Sequence, residues 1–197
     1  MTATSKSIKG TNTEKCLIQA FLAESTAYAR YTFYAQQATK ENYFPVAEVF
    51  NETAANELRH AKTFYKYLEN NTADLGMAET NPGVIGDTVL NLKQAIESEE
   101  VEGVEEYTNA AKVARAEGFD EIADHFEAIA TIELHHKERY QRYLKLVQDG
   151  TLWKRDKAVT WRCLVCGYQY TGTEPPTTCP ACDHPYRHYI CVEDLTI

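Results

Sequence analysis

The stretch ELRH at residues 57–60 and its echo ELHH at residues 133–136 decide how this chain is read. Each sets a glutamate and a histidine three residues apart, a spacing that projects both from one face of a helix. Working outward from the first, Val46, Phe50, Thr53, Glu57, His60, Phe64 and Tyr67 recur in steps of three and four. Around the second run Phe119, Ile122, Phe126, Ile129, Glu133, His136, Tyr140, Tyr143 and Val147. Both motifs therefore lie on the apolar stripe that a helix turns toward a core. Residues 48–68 moved forward by 76 superpose on residues 124–144, matching Phe50 with Phe126, Glu57 with Glu133, His60 with His136 and Tyr67 with Tyr143. An internal repeat of this kind predicts two pseudo-symmetric halves with the shared site between them.

Four helices follow, over about 12–39, 43–70, 84–117 and 119–148, with ends uncertain by about 2–4 residues. Short connections, KENYF and EGFD, make the first and last pairs antiparallel hairpins. The stretch at 70–83 is long and rich in breakers, as a crossing from one hairpin to the other requires. The first helix carries Leu17, Phe21, Glu24, Tyr28, Tyr31 and Ala38 on its core stripe. After residue 150 the composition changes to Trp, Cys, Gly and Pro in short runs, which divides the chain into domains at 1–150 and 151–197, linked through residues 149–158.

The 197 residues carry a formal charge of −9, which disfavours nucleic acid and anionic membrane surfaces as partners and favours metal cations. The first residues, MTATSKSIKGTNTEK, hold no apolar h-region, and no stretch approaches the roughly 18 apolar residues of a membrane span, so a cytoplasmic location is expected.

Several carboxylates facing one another in an apolar core protonate or unfold the bundle unless cations pair with them, each buried charge costing several kcal/mol. Metal is the simplest pairing. Di-iron carboxylate bundles use one Glu from each of two helices and Glu-x-x-His from each of the other two. Here Glu24 is the carboxylate of helix one. Helix three supplies Glu99 on the core stripe with Glu102 a turn later, and Glu97 with Glu100 is the competing pair. His135 reads as an exposed neighbour of His136.

Two CxxC pairs, Cys163/Cys166 and Cys179/Cys182, give four thiolates that suit tetrahedral zinc or a single iron, and their spacing leaves that choice open. A module of about 40 residues has too little core to stand alone, so metal binding supplies much of its folding free energy. Cys16 and Cys191 stand outside the pattern and take no role.

Glu24 within ESTAYARYTFYA, the two motifs at 57–60 and 133–136, Glu99 and Glu102, and the tail WRCLVCGYQYTGTEPPTTCPACDHP together resemble the rubrerythrin family over nearly the whole chain. The resemblance implies a mainly α protein: a ferritin-like four-helix bundle followed by a small C-terminal rubredoxin-like, β-rich metal module. It implies a di-iron site with Glu57 and Glu133 bridging, Glu24 and Glu99 terminal, and His60, Glu102 and His136 completing the set. Glu102 would bind the oxidised site and His60 the reduced one. Tyr31 and Tyr107 match family tyrosines that donate hydrogen bonds beside the irons, Tyr31 being the first choice for a catalytic role with Glu102 and His60. Cys163, Cys166, Cys179 and Cys182 would hold a single rubredoxin-type iron, and no haem is expected. The implied activity is a peroxidase that reduces hydrogen peroxide to water, with electrons from an NAD(P)H-dependent flavin reductase or a rubredoxin. A homodimer or tetramer would bring one subunit's module to the other's bundle. A ferritin-type ferroxidase or iron store is the alternative.

Overall fold

The structure, a computed structural model, describes residues 6–69 and 81–196. Among the described residues five α-helices form the bundle: α1 Asn12–Lys40, α2 Phe44–Tyr65, α3 Thr88–Ser98, α4 Glu106–Ala116 and α5 Asp120–Gln148. Most of the crossover stretch expected at 70–83, residues 70–80, lies outside the described residues.

Local chemistry sets the ends. Thr11 caps α1 by accepting from the Glu14 N–H, and Glu14 reaches back to the Gly10 N–H. Asp87 caps α3 through the Leu90 N–H at 2.7 Å. The two hairpin turns are the same device in two copies. Asn42 and Gly118 take left-handed φ of 62° and 76°, and the N–H groups of Tyr43 and Phe119 donate to Ala38 O and Ala114 O at 2.8 and 2.9 Å. These pairs are also 76 residues apart, so the repeat extends through the turns.

Three expectations are corrected. The second helix ends at Tyr65, short of residue 70. The third helix begins at Thr88, where Asp87 caps it, and it is interrupted by a π-helical segment, Glu99–Glu105. Tyr28, placed on the core stripe by its phase, is 40% exposed; Ala27 is buried instead.

The core has two parts, one on either side of the acidic cluster. Tyr31, Tyr34, Phe50, Leu92, Tyr140 and Tyr143 fill one, and Leu17, Phe64, Tyr107, Phe119, Ile122 and Phe126 the other. Gly150, at φ 66°, ends α5 and opens the link. The tail forms a three-stranded antiparallel sheet in the order β2–β1–β3, with β1 Val159–Cys163, β2 Gln169–Gly172 and β3 Tyr189–Cys191. It is seated on one end of the bundle. His188 stacks on Phe44 at 3.8 Å between ring centres, and Trp153 stacks on Tyr43 while donating to Tyr189 O at 3.1 Å. The buried Asp194 pairs with Arg142 of α5 and with Arg155 of the link.

Candidate metal centres

The bundle gathers Glu24 from α1, Glu57 and His60 from α2, Glu99 from the start of the π segment, and Glu133 and His136 from α5. The four glutamates are each 4% exposed or less. Two groups emerge, each with ligand atoms within 4.8 Å of one another: Glu24, Glu57, His60 and Glu133, and then Glu57, Glu99, Glu133 and His136. Glu57 and Glu133 belong to both. Glu57 turns Oε2 toward His60 Nδ1 at 3.0 Å and Oε1 toward His136 Nδ1 at 3.3 Å. Glu133 turns Oε1 toward His60 Nδ1 at 2.9 Å and Oε2 toward His136 Nδ1 at 2.8 Å. One oxygen of each carboxylate therefore faces each histidine.

The fit to metal can be judged on these atoms. Glu57 Oε1 and Glu133 Oε1 are fully buried, yet neither accepts a hydrogen bond, because the imidazole N–H groups near them are not aimed along the bond. Buried carboxylate oxygens left in this way are costly, and a cation between them removes the cost. The donor set of carboxylates and imidazole suits iron. In the metal-free protein the protons make up the charge. Burial pushes Glu24 and Glu99 well above the usual carboxylate range, and the Glu57 charge adds to it. Burial alone would lower the two histidines. Their carboxylate partners outweigh it, raising His60 to about 12 and His136 to about 9. Burial raises Glu133, but the two histidines beside it outweigh that and hold it near 2.

A pH prediction follows for protein stripped by chelator. A histidine raised on folding stabilises fully below its unfolded pKa of about 6.5 and loses that contribution as pH rises through the folded value. For His136 the window runs from 6.5 to about 9. The stripped bundle should lose melting temperature across that window, while the metal-loaded protein, whose ligands are already deprotonated, should not. Melting curves at several pH values with and without chelator check this; parallel profiles would contradict it.

Glu99 and Glu24 are each held by a tyrosine. Tyr31 Oη donates to Glu99 Oε1 at 2.6 Å and Tyr107 Oη donates to Glu24 Oε1 at 2.8 Å, so the two phenols are equivalent and both contact the site. The repeat places Tyr31 and Tyr107 76 residues apart but Glu24 and Glu99 only 75 apart. The second half has one extra residue between its glutamate and its tyrosine, and the π segment, Glu99–Glu105, accommodates it.

That segment also separates the competing glutamates. Glu97 is exposed, and Glu100 pairs with Lys137 at the surface. Glu102 belongs to neither ligand group. Its Oε2 accepts from Ser98 Oγ at 2.8 Å and from both terminal nitrogens of Arg30 at 3.3 Å. His135 is exposed.

Three contributors escaped the periodicity. Asn56 Nδ2 lies 3.2 Å from His136 Nε2 and fixes that ring from outside, and its counterpart in the repeat, Ile132, offers no such bond for His60. Arg30 holds Glu102. Gly103 brings the π segment against α5: a Cβ there would lie 2.6 Å from both Cβ and Cγ of Glu133. Gly103→Ala must push α5 and Glu133 away, so we expect a loss of about 1–3 kcal/mol in thermal unfolding together with weakened metal retention. Unaltered melting and metal content would show that the helices part without cost. A glycine inside a helical run was the only signal available for it.

In the tail, Cys163, Cys166, Cys179 and Cys182 bring their sulfurs within 4.8 Å of one another, Cys163 and Cys182 at 3.8 Å and Cys166 and Cys179 at 3.6 Å. These are far beyond a disulfide and close to the edge, about 3.8 Å, of a tetrahedron with metal–sulfur bonds of about 2.3 Å. The two knuckles share one backbone. Gly167 and Asp183 follow the second cysteine of each with φ of 78° and 60°, and both donate N–H to the first cysteine's carbonyl at 2.9 Å. Cys166 is the exposed sulfur, and Cys191 is buried in the module's core beside Trp161 and Tyr189.

The sequence model of the rubrerythrin family matches residues 15–144, and that of the rubrerythrin rubredoxin-like domain matches residues 161–190. The chain belongs to the rubrerythrin family. It is 43% identical to rubrerythrin of Porphyromonas gingivalis over 188 residues, covering 95% of this chain and 94% of that one. It is 39% identical to rubrerythrin of Nitratidesulfovibrio vulgaris, covering 93% and 96%. Among solved structures, fully reduced, all-ferrous nigerythrin matches with a TM-score of 0.58 and 27% identity over 97% of this chain and 91% of that one. A ferritin-like bundle with a di-iron carboxylate ligand set thus precedes a rubredoxin-like four-cysteine site. No helix among the described residues is long and apolar enough to cross a membrane.

Proposed function

We propose that this chain is a non-haem di-iron peroxidase that reduces hydrogen peroxide to water and protects its host against oxidative stress. Its electrons would pass through the four-cysteine iron from an NAD(P)H-dependent flavin reductase or a rubredoxin. The observation that carries this reading is the presence in one chain of a two-position cage sharing Glu57 and Glu133 and a separate cage of four thiolates.

Glu24, Glu57, His60 and Glu133 would hold one iron, Glu57, Glu99, Glu133 and His136 the other, and the four cysteines the third. When bound, iron supplies two electrons and Lewis acidity in the bundle and a one-electron relay in the module. The chain's own groups do the rest. Tyr31 and Tyr107 keep Glu99 and Glu24 turned inward, and their hydroxyls are the phenolic donors at the site. Burial of the ligands excludes bulk water. His60 inside the cluster, with Glu102 held aside by Arg30 and Ser98, supports reading these two as alternate ligands, His60 serving the reduced site.

An assembly of two or four subunits suits the distances. His188 of the module touches Phe44, and Glu57 lies about 20 Å further along α2 at about 1.5 Å per residue. That span is long for rapid electron transfer within one chain. Leu58 and Tyr65 are exposed beside Phe21 on the α1–α2 face, and Val165, Tyr168 and Tyr170 are exposed on the module that carries Cys166. Apolar surfaces on both parts support a module of one subunit resting on the bundle of another. Six unpaired cysteines fit a reducing, cytoplasmic setting.

One observation favours the second reading, a ferroxidase or iron store: with Glu102 turned away, the remaining ligands are the plainer ferritin set. Anaerobic stopped-flow mixing of the reduced, iron-loaded protein with hydrogen peroxide and, separately, with O2 separates the two. Peroxide should oxidise the bundle site much faster than O2, with the thiolate centre following. Equal rates, with Fe(II) consumed beyond two per bundle, would establish the ferroxidase instead.

A further inference from the structure

Two cavities meet at Glu102. The inner one touches Glu24, Glu57, Glu99 and Glu133 and ends against Ser98 and Glu102. The outer one is lined by Arg30, Gln94, Glu97, Ser98, Val101 and Glu102, and it reaches exposed side chains, Val101 being 44% exposed. Ser98 and Glu102 are the wall the two cavities share.

That wall is held closed by a buried cation. Arg30, only 5% exposed, places both terminal nitrogens 3.3 Å from Glu102 Oε2. It is itself anchored by donating to Asn81 O at 2.6 Å and to Ser98 Oγ. Ser98 Oγ adds a bond to the same carboxylate oxygen at 2.8 Å. Glu102, 24% exposed against 4% or less for the four cluster glutamates, spans from the outside to the cluster. Because Ser98 and Glu102 line both cavities, these two side chains are what stands between them.

We infer that Arg30 and Ser98 latch Glu102 as a gate on the route by which divalent cations, and neutral oxidants of the size of hydrogen peroxide, reach the buried cluster. This rests on the reading of that cluster as a metal site. Arg30 impedes a cation in two ways: it holds the wall shut, and its own charge stands in the path.

The test uses Co(II) in the full-length protein, loaded without oxidant and then challenged with EDTA. Carboxylate-bound and thiolate-bound cobalt absorb differently, so the four-cysteine site is an internal control. Losing the charged hydrogen bonds of the latch in Arg30→Met should speed both loading and release at the bundle by about tenfold or more. Their ratio, and hence affinity, should hold, as should the thiolate site; Arg30→Lys should restore part of the delay. Val101→Trp, which narrows the outer cavity and leaves the latch alone, should slow both rates and keeps the test alive if Arg30→Met does not fold. Unchanged rates in these variants would overturn the gate. So would slower release with tighter binding in Arg30→Met, since Arg30 would then be restraining Glu102 as a ligand. Absence of cobalt from the bundle of the unaltered protein would remove the metal reading, and the gate with it.

Discussion

Glu57→Ala should empty both metal positions of the bundle, whereas Glu24→Ala should empty one. Glu57 presents Oε2 to His60 and Oε1 to His136, so it contributes to both ligand groups, while Glu24 contributes to the His60 group alone. Loss of an outer-sphere partner already weakens a metal site by about 10–100-fold, so loss of a shared ligand should weaken each position by at least about 100-fold. The same change should destabilise the stripped bundle by about 3–5 kcal/mol, because it leaves the two buried histidines without a carboxylate that faces both of them. Metal content after dialysis, together with melting curves in chelator, measures both halves. One ion retained at full affinity would show that Glu57 is not shared. A stripped variant that melts like the unaltered protein would show that Glu57 does not support the fold through the histidines.

Cys179→Ala should unfold the module and leave the bundle standing. Cys179 is fully buried among Trp161, Cys163, Tyr189 and Cys191, which is nearly all the apolar core this small sheet has. Structural four-ligand sites contribute roughly 10–16 kcal/mol of binding free energy to folding, more than such a core can replace. The thiolate absorption should vanish and the near-ultraviolet dichroism of Trp161 collapse. The main helical melting transition should move little, since the bundle has its own core. Turnover with a reductase should stop, yet one stoichiometric oxidation of the reduced bundle by peroxide should survive. Persistence of the Trp161 signal would mean that the module folds without its metal, and loss of the single oxidation would mean that the module also shapes the bundle site.

Much of the site was legible because it obeys periodicity. Glu57, His60, Glu133 and His136 fall on the 3.6-residue stripe of their helices, and the repeat of 76 residues pairs them; Glu24 follows from the same phase. Where the phase drifts, the reading weakens. Tyr28 lies at the edge of the α1 stripe and points outward, because Ala27 and Tyr31 already fill the space against α2. The third helix misled further, since a single regular helix over 84–117 cannot carry the extra residue between Glu99 and Tyr107 that the repeat arithmetic exposes.

By itself, the sequence determined the ligand types, their pairing across two halves, the four-thiolate module and the order of the two parts. These depend on spacing along one chain, and spacing is preserved whatever the helices pack against. Only the tertiary structure decided that Glu57 and Glu133 each face both histidines, that Asn56 secures His136, that Gly103 admits α5 and that Glu102 rests on Arg30 instead of on the cluster. Each of these is a contact between residues far apart in sequence, set by how closely two helices approach and by which charged group lies nearest. No period along a single helix encodes either quantity.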